Sequence, residues 1–317
     1  MAFPALLPAG APEASPFRPD QHRAALAGCT AGEAALPFVL FEQLNRLPAG
    51  SLAAAVHGES LAVRDADVLW VNGDLDRRLV ERLSLEAQPP LAHDAVDRED
   101  LVAALTGIAT VAPEAFALVG SYVRALLWVA DRDDGRRGLI SGSFPSLPYT
   151  VLLAPRAKHA IPPNTACSAP SIWLLADNLY HEAIHQAITM MILHERVLPK
   201  GYKATEAPRV RITWRDIDEG KAEWEIDRVL HAALVYRHLL EFRLAALQDG
   251  TLTTEEREAL TEATRGAVEA LRFLVRALTE HRSAFGPVGE DLIERLGDQA
   301  AERLPAAVRV LDGMVPA

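Results

Sequence analysis

Disulfide chemistry is nearly absent from this chain: its 317 residues contain two cysteines, Cys29 and Cys167. Two thiols cannot build a disulfide framework, and a reducing compartment suits the sequence. Half of the residues are hydrophobic, enough for a substantial core without covalent staples. Long apolar runs are missing as well. None reaches the length of a membrane span, so no membrane partner is expected. Met1 leads into Ala, Pro and Gly rather than a basic segment and an apolar run, so no signal peptide is expected and the expected localisation is cytoplasmic. Positive charge is in deficit, with 32 Lys and Arg against 43 Asp and Glu, a formal net charge of −11. That balance disfavours a nucleic-acid partner, which calls for basic patches, and reads as solubility. Internal repeats and low-complexity linkers are also lacking.

What is present reads as a mainly α chain with a minor β element. Residues 1–18, rich in Pro and Ala without amphipathic pattern, read as a flexible N-terminal arm; 19–317 reads as a single, mostly helical domain. Apolar spacing suits one or two helices over 21–47 and a short helix over 74–85, before the break at Pro89-Pro90. The weak alternation over 61–70 fits either a strand or a helix end. Helices are expected over 97–105 and 113–129, the second strongly apolar. A charged turn follows at 131–138. Then Ser, Gly and Pro frame a short β segment over 139–153. Residues 210–215 alternate like a strand, 216–220 form an acidic turn, and a long helix is expected over 221–248. Thr253-Thr254-Glu255-Glu256 carries the capping signal for a helix to about His281. After Gly286-Pro287, two short helices are expected to finish the chain.

The stretch with the most chemistry is His181-Glu182-Ala183-Ile184-His185. Pro170 and Ser171 offer a helix start, and no Gly or Pro interrupts until Pro199. Ile172, Leu175, Leu179, Ile188 and Ile192 supply apolar positions at roughly helical spacing, so this helix is mostly buried. Two histidines four apart share one helix face, and their imidazoles can converge on one metal ion. Glu182 between them stands where a metal-bound water or a ligand histidine wants a carboxylate.

Two histidines need a third ligand. The extended HExxHxxGxxH pattern is excluded, because Ile188 and Met191 stand at its Gly and His positions. A downstream carboxylate remains open: Glu219, Glu223, Glu225 and Asp227 are the acids in place, and the same four also suit a solvated helix start. His231 is the other choice, in the apolar stretch Val229-Leu230-His231-Ala232-Ala233-Leu234. His238, on the same face, reads as structural or as support to a ligand, and His194 as a partner of the last helix carbonyls. Ser141 and Ser143 read either as turn chemistry or as a substrate or cofactor rim leading into the metal helix.

Four stretches in this order carry a resemblance: Ser141-Gly142-Ser143-Phe144-Pro145-Ser146-Leu147-Pro148, Leu179 to His185, Thr213-Trp214-Arg215-Asp216, and Arg228-Val229-Leu230-His231-Ala232. Over roughly 139–245 the chain resembles the HExxH-motif family of peptide-modification gene clusters, the 2-oxoglutarate-dependent HExxH-type peptide β-hydroxylases. Thr213 departs from the Pro that members tend to have before Trp-Arg. The resemblance implies Fe(II) held by His181, His185 and His231, with 2-oxoglutarate as cosubstrate and a ribosomally made precursor peptide as substrate. Glu225 and Asp227 stay as alternatives, because most non-heme oxygenases use two histidines and a carboxylate. Arg215 is the first choice for the cosubstrate carboxylate and Arg228 the second, since a guanidinium pairs a carboxylate with two parallel bonds; a surface ion pair is the alternative for either. Glu182 then orients a ligand histidine or an iron-bound water. The competing expectations are a zinc hydrolase with Glu182 as general base and a non-catalytic helical binding module.

Overall fold

The computed structural model describes residues 58–71, 88–92, 94–131, 138–144, 147–162, 165–194, 197–214 and 222–313. The expectations at 1–18, 21–47, 74–85 and 216–220 lie outside the described residues, as do Arg215 and Glu219. Among the described residues the chain is mostly helical, with a smaller sheet. No helix among them is long and apolar enough to cross a membrane.

The alternation near Leu61 resolves as a hairpin. Strands β1 (Gly58–Val63) and β2 (Ala66–Val71) pair antiparallel around a tight turn, where Arg64 takes a left-handed φ of 52°. Helices α1 (Ala95–Val111) and α2 (Pro113–Tyr122) then lead to strand β3 (Ala125–Trp128). This corrects the expected helix over 113–129. The run from Ala125 to Val129 is apolar on both faces of a strand, as a central parallel strand requires, and such a run resembles a buried helix in sequence. Strands β4 (Ser141–Phe144) and β5 (Leu147–Leu153) complete a five-stranded sheet of order β1-β2-β3-β5-β4. Its two inner pairings are parallel and its outer pairings antiparallel.

Across this sheet lies the helix bearing the histidines, α3 (Ile172–His194), in contact with α1, α2, β4 and β5. Its start is capped as expected: Ser171 Oγ accepts from the backbone N–H groups of Trp173 and Leu174, at 3.1 and 3.2 Å. The short strands β6 (Ala160–Ile161) and β7 (Thr165–Ala166) precede it. Strands β8 (Arg209–Arg211) and β9 (Glu223–Glu225) pair antiparallel, so the following helix α4 (Ile226–Ala246) starts later than the expected 221. Trp224 turns inward between two more exposed glutamates, which is the two-residue period of a strand.

Helix α5 (Thr254–Glu280) opens on the expected signal, a capping box between Thr253 and Glu256. The last element corrects the two short helices expected after Gly286-Pro287. It is one helix, α6 (Pro287–Asp312), with Pro305 inside it. Proline forfeits one helical hydrogen bond. The apolar stripe Leu292, Leu296, Ala300, Leu304, Ala307 and Leu311 nevertheless runs on past it, buried, and α6 packs on α5.

Candidate functional site

The buried helix α3 carries two adjacent polar stripes. Asp177, His181, His185 and Thr189 form one; Asn178, Glu182 and Gln186 form the other. Spacing by four places each set on one face. Burying polar groups is costly unless each is bonded. Asn178 Nδ2 donates to the carbonyls of Ala157, Ala160 and Leu174, which ties the loop before β6 to the helix. Gln186 Nε2 donates to the Thr150 carbonyl at 3.2 Å, while its Oε1 is buried without a partner.

Helices α3 and α4 run antiparallel, joined by three polar contacts. Arg243 pairs with Asp177 through Nε to Oδ2 at 2.6 Å and Nη2 to Oδ1 at 2.9 Å, fully buried. Tyr180 Oη and His238 Nδ1 lie 3.2 Å apart. His185 Nδ1 meets His231 Nε2 at 2.5 Å. The contacts climb α3 while descending α4, so the ion pair fixes the register that brings His231 to His185.

His181 completes the cluster, its Nε2 2.7 Å from His185 Nε2. The three imidazoles thus form one hydrogen-bonded row. If His231 donates to His185, then His185 donates to His181; the reverse order is equally consistent. Either way His181 Nδ1 is buried and unpaired. Burial drives all three rings toward the neutral form. His181 is held well below the usual histidine range, with His185 adding to the effect. His231 falls to about 3, by burial first and then by the charges of His185 and Arg228. His185 is lowered by burial, with Glu182 opposing.

Neutral imidazole is the ligating form. By donor chemistry the row therefore suits Fe(II) or Zn(II). Its spacing is tighter than a shared metal requires: at metal–nitrogen distances near 2.1 Å, ligand nitrogens sit about 3.0–3.4 Å apart. Among the described residues no group of three or more His, Cys, Asp or Glu stands in metal-holding geometry. The nitrogens bond each other, and the rings must turn and part before their lone pairs meet at one point.

Glu182 is 4% exposed, and both its oxygens are taken: Ser141 Oγ donates to Oε1 at 2.7 Å and Ser143 Oγ to Oε2 at 2.8 Å. Residues two apart on a strand share a face, and β4 lies against α3, so both hydroxyls reach one carboxylate. Gly142 points the other way, where a Cβ would come within 2.6 Å of the Leu139 side chain. Ser141 and Ser143 are thus clamps on Glu182. Replacing both with Ala is expected to cost about 3–6 kcal/mol, since hydrogen bonds to a buried charged group are each worth about 1.5–3 kcal/mol. Adding Glu182→Leu should recover much of the loss in urea denaturation; no recovery would argue against the clamp.

The remaining candidate acids and bases have other partners or positions. Glu225 pairs with Arg209 at 3.0 Å, Asp227 accepts from the Tyr202 hydroxyl at 2.6 Å, and Glu223 is exposed on β9. Arg228 lies 4.6 Å over the Trp224 ring. The side chain of His194 lies outside the described part of the chain. His238, read from its place on the His231 face as structural or as support to a ligand, is buried and lies against Tyr180. Burial, helped by Arg237, lowers it to about 3. Because the unfolded chain takes up that proton near pH 6.5 and the folded chain does not, stability should fall as pH drops from 6.5 toward 3, by up to about 1.4 kcal/mol per pH unit. In His238→Gln the urea midpoint should depend less steeply on pH over that range; an unchanged slope would remove His238 as the cause.

Sequence reasoning missed Asp177, Asn178, Gln186 and Arg243. The signal for the three on α3 was the four-residue spacing of polar residues on either side of the HExxH motif.

Two cavities flank the histidine row and share His181, His185, His231 and Pro162 in their walls. One, of about 370 Å³, lies on the β4 side, with Ser141, Ser143, Phe144, Glu182, Gln186 and Thr189. The other, of about 420 Å³, lies on the α4 side, with Trp224, Asp227, Arg228, Tyr236 and Leu239 among its lining. No protein-family model matches the chain, and no curated protein does.

Proposed function

We propose that this chain is an Fe(II)- and 2-oxoglutarate-dependent oxygenase that hydroxylates a β-carbon in a ribosomally made peptide. The observation that carries this reading is His231. It comes from a different helix, lies in an apolar stretch, and joins the HExxH pair at 2.5 Å. A zinc peptidase would recruit a carboxylate instead, and Glu225 and Asp227 are bonded to Arg209 and Tyr202. The resemblance of the four ordered stretches to the peptide β-hydroxylases supports the same choice.

His181, His185 and His231 would hold the metal. When bound, Fe(II) with 2-oxoglutarate and oxygen supplies the oxidation: one oxygen atom becomes the new hydroxyl, the other enters succinate, and carbon dioxide leaves. The protein's part is to position and to keep water out. Ser141 and Ser143 fix the Glu182 carboxylate in the cavity wall beside the histidines. The Asp177–Arg243 pair sets the helix register behind them. Arg215, or Arg228 as the second choice, would receive a cosubstrate carboxylate, an arrangement that guanidinium geometry favours.

Anaerobic titration of metal-free protein with Fe(II) and 2-oxoglutarate tests this reading. A visible charge-transfer band at one equivalent of each is expected. Tight stoichiometric zinc with no such band would overturn it in favour of a hydrolase, for which Glu182→Gln is the next variant.

A further inference from the structure

Glu182 and Gln186 stand one turn apart on the same face of α3, and both line the cavity of about 370 Å³ on the β4 side. Each is buried with a need unmet. The hydrogen-bond partners of the Glu182 carboxylate are two neutral hydroxyls, those of Ser141 and Ser143. Among the described residues no lysine or arginine lines this cavity. A buried carboxylate is costly to keep without a countercharge, so the wall as it stands favours a cation.

Gln186 is 2% exposed, and its amide has one orientation. Nε2 donates to the Thr150 carbonyl; reversed, the amide would set oxygen against oxygen. Its Oε1 is therefore an acceptor, buried and without a protein partner. A group entering the cavity meets two acceptors on one helix face, one of them charged, with Phe144 and Pro162 as the apolar part of the wall. An anion is repelled there. A neutral donor satisfies Gln186 and leaves the Glu182 charge unbalanced. A positively charged nitrogen with several N–H groups answers both.

We infer that the β4-side cavity is a subsite for a cationic nitrogen head, an ammonium or a guanidinium, held between the Glu182 carboxylate and Gln186 Oε1. The head belongs to a lysine or arginine of the substrate peptide, an assignment that rests on the oxygenase reading. Gln186 is then a specificity residue, selecting the side chain that lies beside the histidines. The subsite itself needs the fold alone, and it can be probed in metal-free protein.

Benzamidine, benzamide and benzoate share one shape and differ in charge, so together they test the subsite without knowledge of the peptide. In calorimetric titrations of the metal-free full chain, benzamidine should bind at least about tenfold more tightly than benzamide, the scale of a charge-assisted bond over a neutral one. Benzoate should not bind. Glu182→Gln should erase the preference for benzamidine, and Gln186→Met should weaken benzamidine about fivefold, the scale of one neutral acceptor. Asp227 is the carboxylate in the wall of the other cavity, and Asp227→Asn should leave benzamidine within about twofold of the parent. Far-UV circular dichroism confirms folding. Should Glu182→Gln not fold, Thr189→Phe fills the cavity from its own wall and should abolish benzamidine binding. Equal binding of benzamidine and benzamide by the parent, or a preference that survives in Glu182→Gln or in Thr189→Phe, overturns the subsite. A benzamidine preference without the iron and 2-oxoglutarate band removes the oxygenase reading and leaves the subsite; the band without the preference does the reverse.

Discussion

Arg243→Leu is expected to cost about 3–5 kcal/mol of folding stability, the penalty for stranding a buried charge by deleting its partner. Asp177 is 0% exposed and Arg243 2% exposed, so neither can find water once alone. Arg243 also donates to the Ala263 carbonyl at 3.1 Å, and that bond is lost as well. Asp177→Leu should cost about as much as its partner's variant. The double variant, Asp177→Leu with Arg243→Leu, should recover most of the loss, because a buried pair replaced by apolar residues of similar size is often neutral. A double-mutant cycle from urea denaturation measures the coupling. Single-variant losses below about 1 kcal/mol, the scale of exposed pairs, would show that water reaches the pair.

His231→Ala should abolish metal retention while leaving the fold in place. Removing an outer-shell partner costs a metal site about 10–100-fold in affinity, and removing one of three ligands should exceed that range. Stability should change little, because the ring is half-buried and bonds to another neutral imidazole, that of His185. Metal analysis after dialysis against Fe(II) or Zn(II) reads the first effect and thermal unfolding the second. His238→Gln, seven residues along α4, should keep the metal. Full occupancy in His231→Ala would take that residue out of the ligand set.

Features encoded locally were legible in the sequence. Ser171 and the Thr253-to-Glu256 box act within one helical turn, so their signals stand side by side in the chain. The His181/His185 face follows from spacing alone, and the apolar neighbours of His231 pointed it inward. Features that depend on distant strands were not legible. The strand Ala125–Trp128 looked helical because both its faces are covered. The serine clamp joins residues 39 and 41 positions apart, so nothing beside Ser141 or Ser143 announces Glu182. For the same reason Asp177 and Arg243, 66 positions apart, did not look like a pair. Pro305 suggested a break, yet the apolar stripe of α6 outweighed it.

The hydroxyl of Ser171 has two obligations at once. It accepts from the first N–H groups of α3 and donates to Glu256 at 2.6 Å, and Glu256 also closes the box with Thr253 at the start of α5. The beginnings of these two helices, 82 residues apart by number (254 less 172), are therefore one hydrogen-bonded knot. Fraying at either end releases an acceptor or a donor at the other, which makes the two ends a single cooperative unit. In amide exchange, Trp173, Leu174 and Glu256 should open together, and the helix that holds the histidines should share its opening free energy with the C-terminal part of the chain.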